Sequence, residues 1–292
     1  MKNILVLTDF TENAAHAAKS AVLFAGALNT NLLLHNTLTA LPVSSYYSDY
    51  AGGPWIADDF TERQDENQEK LSNLAESLEQ AIAKLPPELH KPVVRCESRE
   101  GNLGESVAAV IEEKNVELVV MGASSEGTFE HIINGSDTRS IIKHATRPVL
   151  VIPQNSELKK LRKVIFATDF DDADMIGLRY LVKLAKLFTF EIEVVHVSII
   201  GKTDFSALER EVSFLKQVSK LKFRDIIFKE TRGKDVVGRL SDICNEDKAD
   251  ILALVHYQHS LLGRILISST TKKALSKQQI PLLIFPSSME DE

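Results

Sequence analysis

The stretch VMGASSEGTFEHIINGS, residues 120–136, starts as an apolar strand, turns at Gly122 and closes on Gly135-Ser136. A glycine at 122 carries no Cβ to hold a ligand away from the backbone, and Gly135-Ser136 stands where a helix would open. Free N–H groups, the positive end of the helix dipole and a serine hydroxyl together suit an anion, a phosphate above all. Asp9, inside TDF at 8–10, adds a carboxylate that can accept hydrogen bonds from sugar hydroxyls. None of these side chains is a convincing nucleophile or general base, so the chemistry is binding, with slow hydrolysis of the bound molecule as its upper limit. The same loop carries Glu126 and Glu130, and Asp137 follows the Gly-Ser directly. These acids repel a phosphate chain unless Mg2+ or outward rotation intervenes, since like charges about 4 Å apart cost roughly 1 kcal/mol even in bulk water.

The elements that must position these residues come in two copies. KNILVLTDF at 2–10 is answered by RKVIFATDF at 162–170, and TRPVLVIP at 146–153 by QIPLLIFP at 279–286, with LLLHN and EVVHV matching in between. Self-similarity on this scale means a duplicated unit. It predicts one domain at 1–154 and a second at 161–287, joined near Gln154 to Lys160, as a length of 292 residues also suggests. In each copy short apolar runs alternate with a 3.6-residue period. Ala18, Ala21, Ala25 and Leu28 fall on one helical face, and so do Leu181, Leu184 and Phe188. Strands are expected at 2–8, 31–36, 92–97, 117–122 and 148–152, then at 162–168, 190–197, 223–229, 250–256 and 281–285. Strand, helix, strand in this rhythm predicts a parallel sheet with helices on both faces. Ligands of such sheets lie beyond the carboxyl ends of the strands, where strand order reverses. Asp9 and Met121-Gly122 end the first and fourth strands, so they share a crevice if those strands are neighbours; Asp169 and Leu254-Val255 are their counterparts.

The first copy is longer by about 27 residues, which must fall between His35 and Pro92, giving an insertion at about 37–66. LPVSSYYSDYAGGPWIADDF reads as a long aromatic-bearing loop: a lid, a docking surface, or an excursion packed on its own Trp55 and tyrosines. A helix follows, with Leu71, Leu74, Leu78, Ile82 and Leu85 on one stripe.

With TDF closing a first strand, His closing a second, Met-Gly closing a fourth, a late Gly-Ser and PVLVIP, the chain resembles the universal stress protein family over nearly all of both halves. The resemblance implies two tandem flavodoxin-like (adenine nucleotide alpha hydrolase-like) domains, each a five-stranded parallel sheet of order 3-2-1-4-5. Family members that bind ATP share a G-x2-G-x9-G-(S/T) loop. Gly122, Gly135 and Ser136 stand at its matching positions, Ser125 replaces the middle glycine, and Gly127 lies two residues on. By the same resemblance Thr8 and Asp9 flank ribose and base, Asn36 borders the adenine, Met121 packs near it, and ATP, with or without Mg2+, is the ligand of the first domain. In the second domain the three glycine positions become Val255, Gln258 and Ser268, and Thr168, Asp169 and Ser269 are what is left of the site, so no nucleotide is expected there. The likeness also implies that the terminal strands of the two copies pair antiparallel as an internal pseudo-dimer; a homodimer of the whole chain is a further possibility.

Composition narrows the classes. Net charge is −7, divided as 12 Lys+Arg against 21 Asp+Glu over residues 1–155 and 22 against 20 over 156–292, which disfavours nucleic acid and anionic membrane as partners. No run reaches the roughly 18 apolar residues of a membrane span, no signal peptide opens the chain, and Cys96 and Cys244 form no framework, so a cytoplasmic protein is expected. His256 and His259 in HYQH lack a third ligand for a metal. The reading that results is a stress-response sensor or regulator that binds adenine nucleotide in the first domain and acts through conformation and protein contacts. Its rivals are a nucleotide-free interaction module with both crevices occluded and a carrier of a small apolar ligand or lipid.

Overall fold

The structure, a computed structural model, describes residues 1–38, 55–123, 136–154, 156, 158, 160–201, 207–256 and 280–289, with side chains from residue 62 in the second of these segments. The strands are β1 (Asn3–Leu7), β2 (Asn31–Leu38), β3 (Val94–Glu100), β4 (Val116–Gly122), β5 (Val149–Ile152), β6 (Lys163–Ala167), β7 (Glu191–Ile199), β8 (Ile226–Gly233), β9 (Ile251–His256) and β10 (Leu282–Pro286). The helices are α1 (Glu12–Leu28), α2 (Trp55–Ala83), α3 (Leu103–Glu113), α4 (Ser136–His144), α5 (Asp174–Phe188), α6 (Ala207–Val218) and α7 (Val236–Glu246). All ten strands form one sheet in the order β3-β2-β1-β4-β5-β10-β9-β6-β7-β8. Each half therefore has the expected order 3-2-1-4-5, with every pair inside a half parallel.

The two halves join where β10 runs antiparallel to β5, with Leu282 opposite Val151, Leu283 opposite Leu150 and Ile284 opposite Val149. Each half thus covers an apolar edge that would otherwise invite another chain. Because side chains alternate across a strand, one core lies on each face of the sheet, and each core draws on both halves. Ile4, Val6, Leu150, Phe166, Leu283 and Phe285 belong to one; Leu5, Val149, Val151, Ile165, Leu252 and Ile284 belong to the other. An ion pair reinforces the joint. Glu117 of β4 is almost wholly buried and receives the Lys2 ammonium at 2.6 Å and that of Lys183, from α5 of the other half, at 2.5 Å. Lys183→Met leaves this buried carboxylate with one cation in place of two. The substitution is expected to cost about 1 kcal/mol at pH 7, measured by urea unfolding, because the half-exposed ammonium is partly screened by solvent.

The stripe Leu71, Leu78 and Ile82 of α2 is buried, with Leu74 and Leu85 packed against the same core. That helix begins at Trp55, inside the stretch read as a loop over 41–60; residues 39–54 lie outside the described residues. Strands β3 and β8 run three or four residues beyond their predicted ends. Both are edge strands, and in β3 the polar Glu97, Arg99 and Glu100 end the apolar run while the backbone still pairs with His35, Thr37 and Leu38. No described helix is long and apolar enough to cross a membrane.

Candidate functional site

β1 has β2 on one side and β4 on the other, so the chain reverses its direction of winding at the carboxyl end of β1. A crevice of about 550 Å3 opens there, between the ends of these strands, the first turn of α1 and the first turn of α4. The segment that enters α1 is built by TDF. Phe10 takes a left-handed φ of 65°, and its N–H donates to Thr8 Oγ1 at 3.0 Å. Phe170 repeats this at φ 61° with Thr168 Oγ1 at 2.8 Å. A bulky residue in that region is strained by about 1 kcal/mol or more, so the turn is held by its surroundings. Thr11 then caps α1, its side chain accepting from the Ala14 N–H.

Thr8, Asp9, Asn36, Met121, Gly122 and Asp137 all line the crevice, and Ser136 begins the helix at its mouth. Ser125, Gly127 and Gly135 lie outside the described residues. Asn36 is buried and donates from Nδ2 to the Thr8 carbonyl at 2.7 Å, which leaves its Oδ1 buried without a partner. Asp9 is exposed and accepts through Oδ1 from the Thr11 N–H at 3.1 Å and the Thr11 hydroxyl at 2.6 Å. Ser136 Oγ donates to Asp137 at 3.1 Å, and both are exposed. Gly122 lines the crevice, and its missing Cβ also makes room for α1. A Cβ built there would stand 2.9 Å from the Asn13 carbonyl oxygen and 3.0 Å from the Ala14 nitrogen, so the space it spares is taken by the backbone of α1.

Residues the sequence left unassigned complete the wall: Thr11, Glu12, Asn13, His35 and Gln154. Asn13 donates to the Ala123 carbonyl and so keeps its own Oδ1 buried and unpartnered. The signal for it was its place one turn after TDF, on the helix face that must meet β4. His35 lies with Nε2 at 3.0 Å from Thr37 Oγ1 and 2.9 Å from Ser106 Oγ, while Nδ1 is unpartnered. Burial pushes its pKa down to about 4, the charge of Glu97 opposing and that of Arg99 adding to the shift, so the ring is neutral at pH 7. The lining holds three carboxylates, Asp9, Glu12 and Asp137, and among the described residues no Lys or Arg.

The second half repeats the strand geometry with other contents. Asp174 takes the place of Ala14 and is buried; its Oδ2 accepts from Thr168 Oγ1 at 2.6 Å and from the Asp169 and Asp171 N–H groups at 3.1 and 3.2 Å. The donors that open this crevice are thereby committed to the protein's own carboxylate. Val255, the counterpart of Gly122, is buried, and room for it comes from Gly177 of α5, where a Cβ would stand 3.1 Å from Val255 and 2.8 Å from Phe285. Phe170 stacks on His196 with ring centroids 4.4 Å apart. Gln258, Ser268 and Ser269 lie outside the described residues, as does Tyr257.

The model of the universal stress protein family matches residues 1–153 and again 160–286. A universal stress protein of Methanocaldococcus jannaschii is 24% identical over 160 residues, covering 53% of this chain and 96% of its own. Among solved structures, a universal stress protein of Archaeoglobus fulgidus superposes with a TM-score of 0.67 at 16% identity, over 97% of this chain and 96% of that one. Another, from Pseudomonas aeruginosa, gives 0.57 at 15% identity over 98% and 93%. With the duplicated sheet, the crevice at the end of β1 and two matches that span nearly its whole length, the chain belongs to the universal stress protein family and carries its fold in tandem.

Proposed function

We propose that the first crevice binds an adenine nucleotide and that the second does not, the chain reporting stress or metabolic state by the arrangement it adopts when the first is filled. The observation that carries this reading is one crevice at the topological switch point, with Thr8, Asp9, Asn36 and Met121 on its wall and the start of α4 at its mouth. Asp9 would hold the ribose hydroxyls, Met121 and the Asn36 amide would flank the base, and the N–H groups opening α4 would face the phosphates. A partner would read the filled form through its differential stability, with no hydrolysis required.

In the second half Asp174 already occupies the donors and Val255 fills the floor, which favours a structural or contact role for that copy. Mg2+ would enter with the phosphates, since among the described residues no three His, Cys, Asp or Glu side chains gather into a metal site.

Calorimetric titration of the full chain with adenosine, AMP and Mg-ATP tests the reading. Micromolar binding of at least one, with one site per chain, is expected. Asp9→Ala should weaken it about tenfold, the loss of one charge-assisted hydrogen bond, while leaving the unfolding midpoint close to wild type because Asp9 is exposed. Absence of heat with all three would leave the interaction-module reading standing.

A further inference from the structure

We infer that the second half carries a docking seat for an acidic amphipathic helix of a partner protein, between α6 and the edge strand β8. The duplicated unit supplies the precedent. In the first half α2 lies along the other edge strand, β3: Asn67 Nδ2 donates to Ser98 Oγ at 2.7 Å, Cys96 Sγ lies 3.7 Å from the Leu71 carbonyl oxygen, and Leu71, Leu78 and Ile82 are buried. Val94, Cys96 and Ser98 stand opposite Leu32, Leu34 and Asn36, as Ile226, Phe228 and Glu230 stand opposite Ile192, Val194 and His196, so the two sets are equivalent. The second set is left more open. α6 has 12 residues where α2 has 29, Phe228 is 43% exposed and Glu230 is exposed. A groove of about 470 Å3 lies between the end of α6 and β8, walled by Leu215, Phe223, Ile226 and Phe228, with Lys222 and Arg224 at its lip. Leu208 and Val212, 69% and 59% exposed, fall on the same face of α6 as Leu215. They carry the apolar track about 10 Å further, two turns of a helix. A continuous apolar track of this kind suits a helix that presents anchors at i, i+4 and i+7.

Charge selects the occupant. KQVSKLKFR, residues 216–224, holds four cations and no acid, and the first acid after it, Asp225, does not line the groove. Among the described residues the lining contains no carboxylate. Elsewhere in this half the cations of the sheet are already matched: Lys163 and Lys229 meet Glu193, and Arg239 meets Glu246. Glu209 and Glu211 lie at the far end of the track, near Leu208 and Val212, so a docked helix would place its acids at the groove end. β8 is separated from the first crevice by most of the sheet, so this inference is independent of the nucleotide reading.

The probe is a fluorescent peptide with the sequence of residues 62–83, which has six acids, two bases and the apolar stripe of α2, titrated with the full chain and followed by anisotropy. Saturable micromolar binding is expected at about 0.15 M salt. It should weaken about tenfold when lysine replaces the six acids of the peptide, and about tenfold with Phe228→Thr or Arg224→Glu in the chain. Both positions are exposed and threonine suits a strand, so the unfolding midpoint of each variant should stay near wild type. No saturable binding, equal binding of the two peptides, or binding unchanged in both variants would overturn the inference. Sedimentation of the chain alone gives the remaining outcome: a dimer that Phe228→Thr dissociates would mean that a second copy fills the groove, and would overturn the assignment to a partner.

Discussion

Replacing Gly122 by valine is expected to destabilise the first half by about 3 kcal/mol, the upper part of the range for forcing volume into a packed interior. The branched side chain would be built against the Asn13 carbonyl oxygen at 2.9 Å and the Ala14 nitrogen at 3.0 Å. Both are backbone atoms in the first turn of α1, which cannot swing aside as a side chain can. Either α1 shifts, opening the crevice wall and the Asn13 bond to Ala123, or β4 leaves its register with β1. Thermal unfolding should show a fall of roughly 5 °C in the midpoint of the chain. Nucleotide binding would be lost with it, so a binding defect in this variant reports a displaced wall. The second half shows how the same position tolerates valine: there the glycine has moved to the helix, at Gly177, and Val255 occupies the space so made.

Asp174 provides the second large effect, with an unusual sign for a carboxylate. Burial pushes its pKa up to about 7, the charge of Asp169 adds to this, and hydrogen bonds from Thr168 and the Asp169 and Asp171 amides oppose it. A group whose folded pKa lies above its unfolded value of 3.8 adds stability that is complete below pH 3.8 and is lost as pH rises through about 7. Between pH 5 and pH 8 the loss amounts to about 3 kcal/mol. His35 works in the opposite direction in the first half, since its folded pKa is about 4, so the total pH profile mixes the two. The comparison that isolates Asp174 is wild type against Asp174→Asn, which keeps the accepting oxygen and removes the charge. The stability of wild type relative to the variant should fall by about 3 kcal/mol across that range in urea unfolding, and an unchanged difference would mean the three donors hold the carboxylate ionised throughout.

The duplication, the parallel sheet and its order were legible because they depend on apolar runs and repeated markers, which survive as patterns in the sequence. TDF, LLLHN and PVLVIP lie where the backbone itself recurs, and Phe10 and Phe170 adopt nearly the same φ. The antiparallel joint of β5 and β10 followed from the resemblance and is present. What the sequence did not yield was the work done by packing across distance. Gly122 reads only as a bare strand end; the close approach of α1, which also needs a glycine there, has no mark in the sequence. Asn13 and Asn36 look like ordinary polar residues until their amides are seen bonded to backbone, which leaves two buried carbonyl oxygens behind. Asp174 was passed over because nothing in DDADM marks which of its acids turns inward. In the second half Val255 reads as a departure from the glycine of the first, and the contact it makes with Gly177 of the facing helix was not legible from sequence spacing.

The most direct test of the central claim is an amide NMR titration of the full chain with AMP, at low ligand excess and in the absence of divalent metal. Saturable shifts are predicted at Thr8, Asn36, Met121 and Ser136, with Thr168, Asp169 and Val255 unmoved. Shifts confined to the second set, or equal in both, would contradict the assignment of binding to the first crevice.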